Sequence, residues 1–208
     1  MSAAGGSAAR WGQEQRDAAR RGLWRRLLAA LGLSPAARRA DARAADCNAG
    51  AVGEQRTAAL LRTLEAAGWT VLHDRAIPGA RSANADHVLV SPGARVFLVD
   101  SKLWSSRYPV YERGGTLWHG KVDRGRTVRS VLYETDLVAR AVGAPVQSVI
   151  AMHNAPIVGN GFFVQGVPVV PAGRLVEVLV GNDGLRNPAA GRLATSVVRA
   201  LPPYLGGA

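Results

Sequence analysis

Three charged residues flank a predicted β-hairpin and have types and spacing suited to chemistry. Asp86 comes just before one short apolar run, and Asp100 and Lys102 come at the end of the next. The two runs are joined by the turn sequence Ser91-Pro92-Gly93-Ala94, a pattern typical of a hairpin. With the turn centred on Pro92-Gly93, residues whose numbers sum to about 185 or 186 lie opposite each other. The sequence therefore predicts that Asp86 lies beside Asp100.

Side chains alternate along a strand, so Asp86, Asp100 and Lys102 are expected on one face of the hairpin. Two adjacent carboxylates repel each other, and a bound divalent cation removes that repulsion. Mg²⁺ takes one or two carboxylates and completes its coordination with water and phosphate oxygens. Lys102 could orient or deprotonate a water, or balance charge in a transition state. This pattern predicts phosphate chemistry that depends on Mg²⁺ or Mn²⁺.

The type of base at position 102 is informative because the chain uses arginine for nearly all its positive charge. Only Lys102 and Lys121 are lysines. A guanidinium stays protonated and cannot act as a base, whereas an ammonium can titrate. The retention of lysine two residues after Asp100 favours a chemical role for it.

Four stretches together resemble the NERD (nuclease-related) domain family, which is similar to the restriction-endonuclease-like PD-(D/E)xK phosphodiesterases. They are Gly53-Glu54, the segment 68–74, the segment 84–90 and the segment 96–102 with its D-x-K. The resemblance covers about residues 48 to 170. It implies that Glu54 is the acid of the first helix, that Asp86 is the main metal-binding acid, and that Asp100 and Lys102 form the acid-x-lysine pair.

The resemblance has two departures. Asp100 stands where many nucleases of this fold have glutamate, and Ala85 stands where the motif has proline. Neither change removes a ligand. The resemblance thus implies a catalytic set of Glu54, Asp86, Asp100 and Lys102, and a metal held by the three acids.

The pattern of apolar runs predicts an α/β fold with a mixed central sheet flanked by helices, and the resemblance implies that this fold is of the restriction-endonuclease-like type. We expect three regions: an Arg/Ala-rich helical extension over residues 1–45, the nuclease-related domain over 46–182, and a helical tail over 183–208. A first helix is expected to begin at a cap on Asp46 or Asn48 and to end at Gly68. The segment from Phe162 to Val170 is predicted as one strand.

The net charge of +11 favours a polyanionic partner, because contacts to phosphates release condensed counterions. We expect that partner to be nucleic acid, and DNA in particular. Two alternatives remain open at this stage: a nucleic-acid-binding module without catalysis, and a membrane-associated interaction protein that uses the basic, amphipathic segment around Trp24–Leu31. The single cysteine, Cys47, excludes an intramolecular disulfide and fits a cytoplasmic location.

Other residues near the predicted site receive weaker assignments. Arg75 and Arg81 flank the loop before Asp86 and are candidate phosphate contacts, and Trp104 is a candidate for stacking on a base. His87 is expected on the opposite face from Asp86 with a structural role. Glu134 and Asp136, on a later predicted helix, are expected to be surface charges.

Overall fold

The computed structural model describes residues 35–80 and 83–205 of the chain. Four α-helices and nine strands are found in these residues. The helices are α1 (Pro35–Ala66), α2 (Gly125–Val142), α3 (Leu175–Gly181) and α4 (Ala190–Ala200). The strands are β1 (Thr70–Ala76), β2 (Asn84–Val90), β3 (Val96–Leu103), β4 (Val110–Arg113), β5 (Thr116–His119), β6 (Val122–Asp123), β7 (Val146–His153), β8 (Phe162–Val164) and β9 (Val167–Pro171).

The main sheet has six strands in the order β1-β2-β3-β7-β9-β8. Strands β1, β2 and β3 are antiparallel, β3, β7 and β9 run parallel, and β8 closes the edge antiparallel to β9. Strands β4, β5 and β6 form a separate antiparallel sheet. The expected mixed sheet is therefore confirmed, and its parallel part is made by the crossover from β3 to β7 that carries α2.

Helices cover both faces of the main sheet, so each face is buried in its own apolar core. On one face, Leu61 of α1 and Leu175 of α3 pack with Phe97 and Val99 of β3. On the other face, Val138 of α2 packs with strands β2 and β3 and with α4. Alternate side chains of β3 are thus buried on opposite sides, as the period of two in a strand requires.

The predicted hairpin of β2 and β3 is confirmed, with Val90 paired to Val96 across the turn. Two other predictions are wrong. The segment from Phe162 to Val170 is two strands, because Gln165 and Gly166 adopt positive φ and reverse the chain. The first helix does not begin near Asp46; it begins at Pro35 and is continuous to Ala66, so the expected boundary near residue 45 lies inside a helix.

Part of the sequence-based interpretation falls outside the described residues. This holds for the amphipathic segment Trp24–Leu31 and for Arg81. Within residues 35–80 and 83–205, none of the helices combines the length and the apolar character that a bilayer crossing requires.

Candidate active site

The pairing of β2 with β3 brings Asp86 next to Asp100. The ladder pairs His87 with Val99, and the same register, in which residue numbers sum to 186, continues to Asp86 and Asp100. The backbone N–H of Ser101 donates a 2.9 Å hydrogen bond to Asp86 Oδ2. The carboxylate of Asp86 is therefore tied to the backbone of β3, directly between the two charged residues of the D-x-K motif.

Asp100 and Lys102 form an ion pair in which Lys102 Nζ donates to Asp100 Oδ1 at 2.6 Å. The side chain of Asp100 is 10% exposed and that of Lys102 is 29% exposed. Among the described residues, the buried Oδ2 of Asp100 has no hydrogen-bond partner. Leaving a buried carboxylate oxygen unsatisfied is costly, so this atom is suited to receive a ligand that the protein itself does not provide.

The charges of this cluster shift each other's protonation. Burial, together with the neighbouring Asp100, raises the pKa of Asp86 to about 7. Burial alone would lower the pKa of Lys102, but the carboxylates of Asp100 and Asp86 outweigh it and raise that pKa. The ammonium of Lys102 is thus held in its charged form, while Asp86 is poised to take up or release a proton near neutral pH.

A fourth charged side chain, Glu134, reaches this cluster from α2. It is half-buried, one helical turn from Val131 and Val138, which are both buried. Burial and the nearby carboxylates of Asp100 and Asp86 raise the pKa of Glu134 to about 8. The expectation that Glu134 is a surface charge is wrong, and the helical spacing to Val131 and Val138 is the signal that could have placed it.

Glu54 is buried on α1, beside the end of the D-x-K strand. The preceding residue, Gly53, lies so close to β3 that a Cβ there would be 3.3 Å from Leu103 Cβ and 3.5 Å from Leu103 N. Glycine at position 53 therefore permits the close crossing of helix and strand that brings Glu54 to this end of β3. The arrangement explains why the two residues occur together as Gly53-Glu54.

The opposite face of the same strands carries a chain of hydrogen bonds between neutral polar side chains. His73 Nδ1 and His87 Nδ1 are 2.7 Å apart, and His87 Nε2 is 3.1 Å from Ser101 Oγ. Ser101 Oγ donates to Thr57 Oγ1 at 2.8 Å, and Thr57 Oγ1 is 2.7 Å from His153 Nε2. The chain connects β1, β2, β3, α1 and β7, so it joins the elements that surround the candidate site.

The direction of these hydrogen bonds follows from the single proton on each hydroxyl. Because Ser101 donates to Thr57, it must accept from His87 Nε2, which leaves His87 Nδ1 to accept from His73. Thr57 Oγ1 also hydrogen-bonds His153 Nε2, which can accept or donate according to the tautomer of His153. Burial, with the nearby His73 and His153, lowers the pKa of His87 to about 3. The chain is satisfied with all three rings neutral. The contact of His87 with Ser101, on the face opposite Asp100, confirms that His87 lies on the face opposite Asp86.

The three residues proposed for substrate contact are placed differently. Arg75 is 7% exposed, and its Nε donates to Leu201 O at 2.7 Å, so its guanidinium serves to hold the end of α4. Trp104 is half-buried and its ring is stacked on His119 at 5.2 Å. Arg81 lies outside the described residues. The contacts made by Arg75 account for its position without a substrate.

The donor atoms of the site decide which kind of cation it can hold. Among the described residues, no three His, Cys, Asp or Glu side chains are gathered into a ready-made metal cage. Asp86 and Asp100 nevertheless lie side by side, and Asp100 offers an unsatisfied buried oxygen. A hard cation that needs only one or two protein carboxylates, as Mg²⁺ does, fits this donor set, whereas a site built wholly from protein ligands does not.

Comparison with known proteins gives one match. Residues 49–153 match the family model described as the nuclease-related domain. The matched region begins in α1, just before Gly53, and ends at the last residue of β7, so it contains all the elements that carry the cluster. No curated protein and no solved structure matches the chain.

Proposed function

Since the chain belongs to the NERD (nuclease-related) domain family, we propose that it is a metal-dependent phosphodiesterase that cleaves nucleic acid, with DNA as the expected substrate. The observation that carries the proposal is the buried, unpartnered Oδ2 of Asp100, next to Asp86 and opposite the oxygen that binds Lys102. A buried carboxylate in this state is stabilised by a cation.

In this proposal the metal would be held by Asp86 and Asp100, whose carboxylates lie side by side. Glu54 lies near the same end of β3, but it is not gathered with these two acids among the described residues, so its role as a third ligand stays a prediction of the resemblance. When bound, Mg²⁺ or Mn²⁺ would polarise the phosphoryl oxygen and acidify a coordinated water. Above about pH 8, where its carboxyl ionises, Glu134 would add negative charge to the same pocket and strengthen its preference for a cation. The backbone N–H of Ser101 holds Asp86 Oδ2, which restricts the orientation of that carboxylate before any ligand arrives.

Lys102 would balance the negative charge that develops on the scissile phosphate. Its raised pKa means that it is protonated at neutral pH, so it favours this electrostatic role over proton abstraction from water. At 29% exposure, its ammonium can reach a phosphate while it stays paired with Asp100. Of the roles that the sequence leaves open for Lys102, the geometry supports charge balance best.

The proposal is tested by incubating the full chain with single- and double-stranded DNA and RNA, in Mg²⁺, Mn²⁺ or EDTA. Lys102→Ala and Asp100→Ala are each expected to reduce metal-dependent cleavage by at least about 100-fold, because Lys102 would balance charge on the reacting phosphate and Asp100 would hold the cation. Lys121→Ala is the matched control, since Lys121 is the other lysine and is exposed. Equal cleavage by the parent and the two site variants would overturn the proposal.

The net charge of +11 also favours a second candidate, a module of the same family that binds nucleic acid without cutting it. Contacts to phosphates would make its affinity fall steeply with salt. Filter binding that shows this salt dependence, with no products in Mg²⁺ or Mn²⁺, would support the second candidate over the first.

A further inference from the structure

A cluster of aromatic and basic side chains begins where the D-x-K strand ends. We call it the aromatic platform and define it as Trp104, Arg107, Tyr108, His119 and Arg124. The ring of Trp104 stacks on His119 with an interplanar angle of 28°, and the guanidinium of Arg124 lies 5.0 Å from the centre of the Trp104 ring. His119 Nε2 donates to Ser105 O at 3.0 Å, which anchors the imidazole. The inner layer of the platform is therefore rigid and already packed.

Tyr108 forms the outer layer and is the ring that solvent can reach. It is 47% exposed, and it meets His119 edge-on with 6.1 Å between ring centres. Arg107 places its guanidinium 5.6 Å from the centre of the Tyr108 ring. An exposed aromatic ring beside an arginine offers a stacking surface for a base together with a cation for a phosphate.

Gly120 fixes the position of Tyr108. Gly120 has a φ of +58°, and a Cβ at this position would lie only 2.9 Å from both Cβ and Cγ of Tyr108. The turn after β5 therefore packs against the Cβ and Cγ atoms of Tyr108 and leaves the rest of the ring exposed to solvent. Because the backbone at Gly120 already restricts the side chain of Tyr108, little further conformational entropy is lost when a ligand binds to the ring.

The platform is close to the candidate active site along the chain. Trp104 follows Lys102 by two residues, a span of about 7 Å if extended, and Tyr108 follows it by six, at most about 20 Å. The guanidinium of Arg124, on the ring of Trp104, adds positive charge between Tyr108 and Lys102. A nucleic-acid strand a few nucleotides long could span from the platform to Lys102.

We infer that the aromatic platform binds unpaired nucleotides next to the site, with a base stacked on Tyr108 and a phosphate held by Arg107. The physical reason is access: in a duplex both faces of each base are covered by neighbouring bases, whereas an unpaired base exposes a face that a side chain can stack on. The substrate class is then a single strand or a frayed end. This inference deepens the proposed function. It rests on that function only in assuming that the bound nucleic acid runs from the platform towards Lys102.

The test measures binding and not cleavage, so the two proposals can fail separately. The full chain in EDTA is titrated against a fluorescent oligothymidylate of about twelve nucleotides, within the range of single-strand site sizes, and against a blunt duplex hairpin. Tyr108→Ala is expected to weaken binding of the single strand by about 5- to 100-fold and to leave duplex binding nearly unchanged. Tyr108→Phe keeps the ring and is expected to bind like the parent.

Two control variants match the platform residues in type and exposure. Phe163→Ala removes an aromatic ring that is 70% exposed on β8, and Arg192→Ala removes an exposed arginine on α4 for comparison with Arg107→Ala. The inference is overturned if Tyr108→Ala weakens binding no more than Phe163→Ala does, or if the duplex binds as tightly as the single strand. If selective binding is found but no cleavage occurs in metal, the proposed function fails and the platform stands.

Discussion

On one face of β3, Ser101 belongs to a chain of hydrogen bonds between neutral hydroxyl groups and neutral imidazole rings. On the other face, Asp100 and Lys102 carry charge, and a buried oxygen of Asp100 lacks a partner among the described residues. Both faces bury polar groups within three consecutive residues. The difference is one of hydrogen bonding: the polar groups of the neutral face are paired with one another across several elements, whereas the charged face keeps an unpaired oxygen, where we propose that a cation binds.

The largest difference that we expect between the two faces is in their effect on cleavage. Asp100→Asn should reduce metal-dependent cleavage by about 100-fold or more, because it removes the charge proposed to hold the cation. It should change the melting temperature in the absence of metal only slightly, because the lost ion pair with Lys102 is offset by the loss of repulsion from Asp86 and Glu134. The measurements are product formation in Mn²⁺ and thermal unfolding in EDTA. A marked drop in melting temperature with activity kept would mean that Asp100 is a structural ion-pair partner.

The neutral face should respond in the opposite way. Thr57→Val keeps the shape of the side chain but removes the hydroxyl between Ser101 and His153, and should cost about 1–3 kcal/mol in the free energy of unfolding. Cleavage well below the melting temperature should change much less. Thr63→Val is the matched control, because Thr63 lies on the same helix and its hydroxyl bond to Leu60 O is exposed. Denaturant titration of both variants measures their free energies of unfolding. If Thr57→Val were as stable as Thr63→Val, the hydrogen-bonded chain would have no structural role.

The two faces should also give stability opposite dependences on pH. The pKa of Asp86 is raised to about 7, so the folded state keeps a proton that the unfolded state loses near pH 4. The stability that this bound proton contributes is therefore lost as the pH rises from about 4 towards 7. The pKa of His87 is lowered to about 3, so the unfolded state takes up a proton below about pH 6.5, and stability is lost as pH falls.

Variants can separate these two slopes in the metal-free protein. Asp86→Asn should flatten the loss of melting temperature between about pH 4 and pH 7, and His87→Gln should flatten the loss below about pH 6.5. Each change should amount to several degrees, on the order expected for one to a few kcal/mol. Thermal unfolding in EDTA across this range measures both. Parallel profiles for the parent and Asp86→Asn would show that the buried carboxyl is not protonated in the folded protein.

The smallest effect is expected for Glu134. Its pKa of about 8 means that it is largely protonated at neutral pH, and Glu134→Gln imitates that form. We expect cleavage to fall by less than about tenfold, with a weaker rise in melting temperature on adding Mn²⁺ above pH 8, where the parent side chain is charged. Asp136→Asn is the control, since Asp136 is exposed and paired with Arg140. A loss as large as that of Asp100→Asn would make Glu134 a direct ligand.

How far the site could be predicted depended on the range of the contacts that make it. The pairing of Asp86 with Asp100 comes from a hairpin, whose register depends on a turn of a few residues. Glu134 is on the same side of its helix as Val131 and Val138, but its position over Asp100 depends on how α2 packs across the sheet. A contact of that kind has no local signature in the sequence.

The hydrogen-bonded chain shows the same limit more strongly. His73, Thr57 and His153 have no regular spacing in the sequence, and their hydrogen bonds to one another exist only because β1, α1 and β7 surround Ser101. Arg75 gives the converse case. From the sequence it resembled a phosphate contact, whereas in the fold its guanidinium is used by the carbonyl of Leu201, far along the chain.

The sequence by itself determined the hairpin, the alternation that puts Asp86, Asp100 and Lys102 on one face, and the family to which the chain belongs. These follow from local sterics and from the period of two along a strand, which need no knowledge of distant residues. Only the tertiary structure decided which polar groups are satisfied and which are not. Satisfaction depends on burial and on partners brought from other elements, and it is this that separates the neutral chain around Ser101 from the unsatisfied oxygen of Asp100.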